Sequence, residues 1–265
     1  MLLPLSIILL MAGLVFGWTL VKSHHRRRRL RELMTTSLPS DVERELGKFW
    51  PFSRLTPEEK KRFQGKILFF LEDKYFTGVG GLEVTDEMRI IVAAEACLLI
   101  TNLEGDVYPG LKNIYLTEDV FIPRENPVNA ATGLPTHVAR LGEAWKRGPV
   151  VLSWSAIAQG SSVIYHEFSH QLDQLDGAFD GTPELGKRGN YDRWARVMGN
   201  TFLELRKRVA SHKGSDIDPY GATNEAEFFA VVTEYFFTKP RILLQRHPEI
   251  YGIYKDFFRL DPANW

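Results

Sequence analysis

The chain has 265 residues, 44% of them hydrophobic and 25% charged, an ordinary globular balance with ample material for a core. Basic and acidic residues each number 33. Lys22, Arg26, Arg27, Arg28, Arg29 and Arg31 nevertheless cluster before position 35 against Glu32 alone, which leaves the remaining chain net acidic. That distribution argues against direct nucleic-acid binding, and the single Cys97 excludes both an intramolecular disulfide and a cysteine-rich zinc site. Cys97 lies in the run Ala96-Cys97-Leu98-Leu99-Ile100, where it reads as a small buried hydrophobe.

Residues 1–21 contain no charge. As a helix they would span about 31 Å, close to the roughly 30 Å of a hydrocarbon core. A cleaved signal peptide carries its basic residues before the apolar run, whereas here Lys22 and the Arg26–Arg29 cluster follow it. The order predicts one transmembrane helix over 1–21, a basic juxtamembrane segment over 22–34 beside anionic headgroups, and a body over 35–265. It predicts a single-pass protein of the inner (cytoplasmic) membrane with its body in the cytoplasm. The alternative is a buried N-terminal helix.

Beyond the anchor the pattern predicts a mostly helical α+β domain with a small mixed sheet. Thr56-Pro57-Glu58-Glu59 opens a helix running towards Leu71, before the glycines at 78, 80 and 81, and Thr85-Asp86-Glu87 opens another through Ile100. Lys112–Leu116 and Pro149–Trp154 are short β-branched or aromatic runs bounded by turn formers, and read as strands. Gly160-Ser161-Ser162 introduces the next helix.

That helix carries the chemistry. Ile164, Phe168, Leu172 and Leu175 form its core-facing stripe, while His166 and His170 lie on the opposite face, one turn apart. Imidazoles at that spacing can bind one metal at about 2.0–2.1 Å each. Glu167, beside the first histidine but rotated off the metal axis, is placed to hold water instead of coordinating. This is the His-Glu-x-x-His arrangement of zinc peptidases. The competing reading is a pair of exposed or hydrogen-bonded helix histidines. His24 and His25 read as headgroup-level residues, and His137, His212 and His247 lack ligand spacing.

A catalytic site needs a third protein ligand and an open fourth position. Asp176 lies six residues after His170, but position 173 is Asp where a glycine turn would be needed, so the helix is expected to continue and carry Asp176 away. Asp173 is too short to reach the metal and suits accepting a ring N–H from a ligand histidine. Downstream, Thr223 or Asn224 can cap a helix that begins near Glu225. Glu227 and Glu234 share one of its faces about two turns apart. A capping box with Asn224 is the plainer reading of Glu227. Spacing alone leaves the two acids tied as ligand.

The segments 166–173 and 220–230, together with Gly142-Glu143-Ala144-Trp145 and Gly148–Trp154, resemble the Mlc titration factor A family of zinc peptidases, from about residue 50 to the C-terminus. The catalytic motifs are also similar to those of the anthrax lethal factor protease domain. The resemblance implies a zincin-like domain holding one Zn²⁺ per chain on His166, His170 and Glu227. It implies Glu167 as catalytic acid/base and Tyr220 as the phenol that stabilises the oxyanion. It also implies peptide or protein substrates and, from the family's name, a transcriptional repressor as a partner.

Overall fold

The computed structural model describes residues 5–119, 148–186 and 188–265. Its first element is one unbroken helix, α1 (Leu5–Leu33), which runs from the apolar stretch through the basic cluster. Leu30 and Leu33 are buried in the core. Arg26 bonds both Asp73 and Asp106, and Arg29 reaches Glu72 at 2.6 Å. The expected transmembrane anchor is corrected here: among the described residues no helix is long and apolar enough to cross a membrane. The apolar run is not an element of its own. It shares α1 with basic residues, of which Arg26 and Arg29 meet acids of the body instead of lipid headgroups. The single-pass inner-membrane placement, with the body in the cytoplasm, and the membrane as a partner fall with the anchor.

Helices α2 (Ser40–Lys48) and α3 (Trp50–Arg54) lead to α4 (Pro57–Asp73). There the Thr56 hydroxyl accepts the Glu59 N–H at 3.3 Å and the Glu59 carboxylate accepts the Thr56 N–H at 2.8 Å, a complete capping box. The chain then enters β1 (Tyr75–Val79), a strand the glycine-rich sequence conceals. Gly78 is required by contact: a Cβ there would lie 1.8 Å from the Leu82 carbonyl oxygen.

Helix α5 (Asp86–Ile100), capped by Thr85, leads back to β2 (Asn113–Thr117), and β3 (Val150–Ser153) completes the described sheet. The order is β1-β2-β3, with Tyr75 opposite Asn113 and Ile114 opposite Val150. The expected mixed sheet is corrected: among the described residues both pairings are parallel. A long crossover such as the one through α5 returns the chain to the same end of the sheet and gives parallel neighbours. His137 and the Gly142–Trp145 segment lie outside the described residues.

After β3 come α6 (Trp154–Ala158), α7 (Val163–Asp173), α8 (Arg188–Ala210), a 3₁₀ turn (Pro219–Ala222), α9 (Glu225–Thr238), α10 (Pro240–Arg246) and α11 (Pro248–Phe258). Helix α7 lies between two aromatic clusters. On one side Phe168 meets Phe70 of α4 and Tyr108, with ring centroids 5.7 and 4.9 Å apart. On the other, Tyr165 stacks on Phe237 of α9 at 5.2 Å. Phe229 ties α9 to Trp194 of α8 and Tyr254 of α11. Burial of each such ring contributes about 1.5–3 kcal/mol. Cys97 is fully buried in α5.

Ile164, Phe168 and Leu172 form the buried stripe, but Leu175 is 45% exposed. Helix α7 stops at Asp173 and the chain turns away through Gly177, whose φ is +91°. The helix therefore ends sooner than expected, and Asp176 accepts the Ala178 N–H at 2.9 Å in the turn.

Candidate metal centre

Helices α7 and α9 pack face to face and bring the two motifs together. Asn224 caps α9, its side-chain oxygen accepting the Glu227 N–H at 2.9 Å. The Glu227 carboxylate does not return to the cap. It turns inward, with Oε2 lying 3.0 Å from His166 Nε2 and 3.6 Å from His170 Nε2. The two histidine Nε2 atoms are 3.2 Å apart. All three residues are buried, and their ligand atoms lie within 4.8 Å of one another.

These separations test the fit of a metal. Ligand atoms about 2.0–2.1 Å from a tetrahedral zinc stand about 3.3 Å from one another. The three observed edges of 3.0, 3.2 and 3.6 Å bracket that value. Two imidazole nitrogens and one carboxylate oxygen also form a donor set that zinc accepts. The residues fit a metal ion.

The electrostatics follow from the crowding. Burial works to raise the Glu227 pKa, but hydrogen bonds from His166 and His170 outweigh it and hold the carboxyl at about 2. Burial opposes charge on His166, yet its bonds to Glu227 and Glu234 raise its pKa well above that of a free imidazole. Glu167 carries a raised pKa, chiefly through burial and despite both histidines. Tyr220 is half-buried in the 3₁₀ turn, where Asp218 accepts its N–H at 2.9 Å, and its ring centroid lies 6.0 Å from that of His166. Burial, followed by the nearby Glu227 and Glu167 charges, raises its pKa further and keeps the phenol protonated.

The structure therefore gathers His166, His170 and Glu227, with Glu167 and Tyr220 beside them. It separates Glu234 from Glu227. Glu234 Oε1 lies 2.7 Å from His166 Nδ1, on the opposite edge of the ring, and its Oε2 accepts the Ser162 hydroxyl. Asp173 does not take the ring N–H expected of it. Its Oδ2 accepts the Gly181 N–H at 3.0 Å, while Asp173 Oδ1 and His170 Nδ1 have no hydrogen-bond partner among the described residues. Two contacts lie beyond the motif reading. One is the Ser162–Glu234 bond. The other is Phe179, whose ring centroid sits 5.0 Å from that of His170. The spacing marked Glu234 only as a rival ligand to Glu227, and nothing in the sequence pointed to its bond with Ser162 or to Phe179.

Two imidazoles one turn apart on a helix, closed by a carboxylate from a second helix, define the class: a metallopeptidase-type site in a mostly helical α+β fold. The family model for glucose-regulated metallo-peptidase M90 matches residues 22–259, and the chain belongs to that family. An uncharacterised protein of Synechocystis is 35% identical over 98% of both chains. Mlc titration factor A of Klebsiella pneumoniae is 27% identical over 79% of this chain and 82% of its own. The protein of the same name from Serratia proteamaculans is 28% identical over 78% and 84%.

Proposed function

We propose that this chain is a zinc-dependent peptide hydrolase with His166, His170 and Glu227 as metal ligands. The convergence of those three side chains at tetrahedral-edge distances carries the reading. A bound zinc would supply Lewis acidity, which acidifies water and polarises a carbonyl. Glu167 accepts the proton of the attacking water and returns it to the leaving amine. Burial raises its pKa above the ordinary carboxylate value, which makes it a stronger proton acceptor than an exposed glutamate. The Tyr220 hydroxyl, kept protonated by its surroundings, donates to the developing oxyanion. In the described sheet β3 has one strand neighbour, β2, and it leads towards α7. An extended peptide would add along its other side.

Zinc content and peptide-library cleavage of the purified chain test this reading. We expect one zinc per chain and cleavage that Glu167→Gln abolishes while zinc remains bound. Retained turnover in that variant would assign the proton transfer to another group.

A second reading rests on the name Mlc titration factor A carried by relatives 27–28% identical: sequestration of a transcriptional repressor, with the metal site secondary. Co-purification with a repressor of that kind, undiminished by Glu167→Gln, is the result it requires.

A further inference from the structure

We propose that Glu234 is a positioning residue for the metal site, and that it acts by fixing the ring of His166. The inference rests on the metal-site reading above. Glu234 stands on α9 two turns beyond Glu227, so one helix face presents two carboxylates to the same imidazole. Glu227 approaches Nε2 at 3.0 Å, on the edge shared with His170, and Glu234 approaches Nδ1 at 2.7 Å, on the far edge. If Glu234 takes the Nδ1–H when a metal is bound, Nε2 would be the ring nitrogen left to direct its lone pair at the position the three ligands share. A ligand histidine whose other N–H is held by a carboxylate is locked in tautomer and orientation and is a stronger base towards the metal.

Glu234 is itself held. Its second oxygen accepts the hydroxyl of Ser162, the residue that immediately precedes α7. The chain Ser162–Glu234–His166 therefore joins the start of the ligand helix to the ring of its first ligand through the facing helix. The two histidines are supported differently. His166 has this hydrogen bond, whereas His170 Nδ1 has no partner among the described residues and its ring packs against Phe179. Loss of Glu234 thus removes the polar restraint on one ligand and leaves the other unchanged.

The test measures zinc affinity of the full chain by competition with a chromophoric chelator, the visible spectrum of the Co²⁺-substituted protein, and the Tm of the apo protein. Glu234→Ala should weaken zinc about 10–100-fold and alter the Co²⁺ bands. Glu234→Gln keeps an oxygen for the Nδ1–H and should recover the wild-type spectrum with a smaller loss of affinity. Ser162→Ala should shift affinity in the same direction and by less. If the cavity left by Ala unfolds the chain, Glu234→Met fills that space without a comparable acceptor and replaces it. Wild-type zinc affinity, within about threefold, and an unchanged Co²⁺ spectrum in Glu234→Ala or Glu234→Met would overturn the inference, whatever the Tm. If the wild type binds zinc no better than Glu227→Ala, the metal-site reading itself fails. Zinc lost in Glu227→Ala but kept in Glu234→Ala would overturn the role of Glu234 alone.

Discussion

Tyr220 is the residue at which packing and chemistry make opposite demands. It occupies a capped 3₁₀ turn and packs against the hydrophobic core, as a structural lid would. If the ring alone mattered, Tyr220→Phe would be silent. Its hydroxyl, however, is held protonated beside Glu227 and Glu167, where it can donate to charge that develops only in the transition state. We therefore expect Tyr220→Phe to retain zinc and thermal stability, leave KM nearly unchanged, and lose about 10²–10³ in kcat, the usual effect of removing one such donor. Steady-state kinetics decide the matter. A kcat within about threefold of wild type, barely 0.65 kcal/mol of barrier, would return Tyr220 to packing.

Helix α7 shows how an element serves core and site together. Its buried stripe faces Phe70 and Tyr108, which leaves His166 and His170 on the side turned towards α9. Phe168 is fully buried and anchors that stripe. Phe168→Ala should cost about 3–5 kcal/mol in urea unfolding, and zinc affinity should fall with it because the ligand face loses its backing. Much of α7 was legible in advance. The histidine spacing and the stripe through Leu172 follow from a period of 3.6 residues, and the start follows from Gly160-Ser161-Ser162, but Leu175, expected in the stripe, lies beyond the helix and is exposed. Its end was not legible: no glycine stands at position 173, yet the helix stops there, the chain turns through Gly177, and Asp173 accepts the Gly181 N–H. Gly181 in turn passes so close to Glu225 that a Cβ would lie 2.3 Å from its carbonyl oxygen.

At the scale of the whole molecule, Asp73 joins the N-terminal helix to the body. Its carboxylate binds Arg26 of α1, Lys74, and Lys112 ahead of β2. Burial acts against the charged form, but these three partners hold its pKa at about 2, below the ordinary 3.8. A depressed carboxyl pKa contributes stability that is fully present above pH 3.8 and is lost as pH falls through about 2. With solvent screening the contribution is about 1 kcal/mol. Denaturant titrations should show the wild type losing this increment between pH 4 and 2 and Asp73→Asn lacking it. A larger change should accompany the metal. Free zinc at a hundred times its Kd stabilises a protein by about 2.7 kcal/mol. For a chain of this size that raises Tm by about 5–10 °C, and Glu227→Ala should show no such rise in calorimetry with and without chelator.

The sequence by itself determined whatever depends on neighbours along one helix: the two histidines with Glu167 between them, the Thr56 and Thr85 caps, and the burial of Cys97, while the choice between Thr223 and Asn224 as the cap of α9 was made by the structure. It left Glu227 and Glu234 equivalent, because residues seven apart on one face differ only in what stands opposite them. Tertiary packing broke that equivalence by setting His166 between them, one acid at each ring nitrogen. Packing likewise made the described sheet parallel, concealed β1 behind its glycines, and drew Arg26 of an apparent anchor helix onto Asp73 and Asp106. Periodicity records which residues share a face; what that face meets is decided by elements distant in the chain.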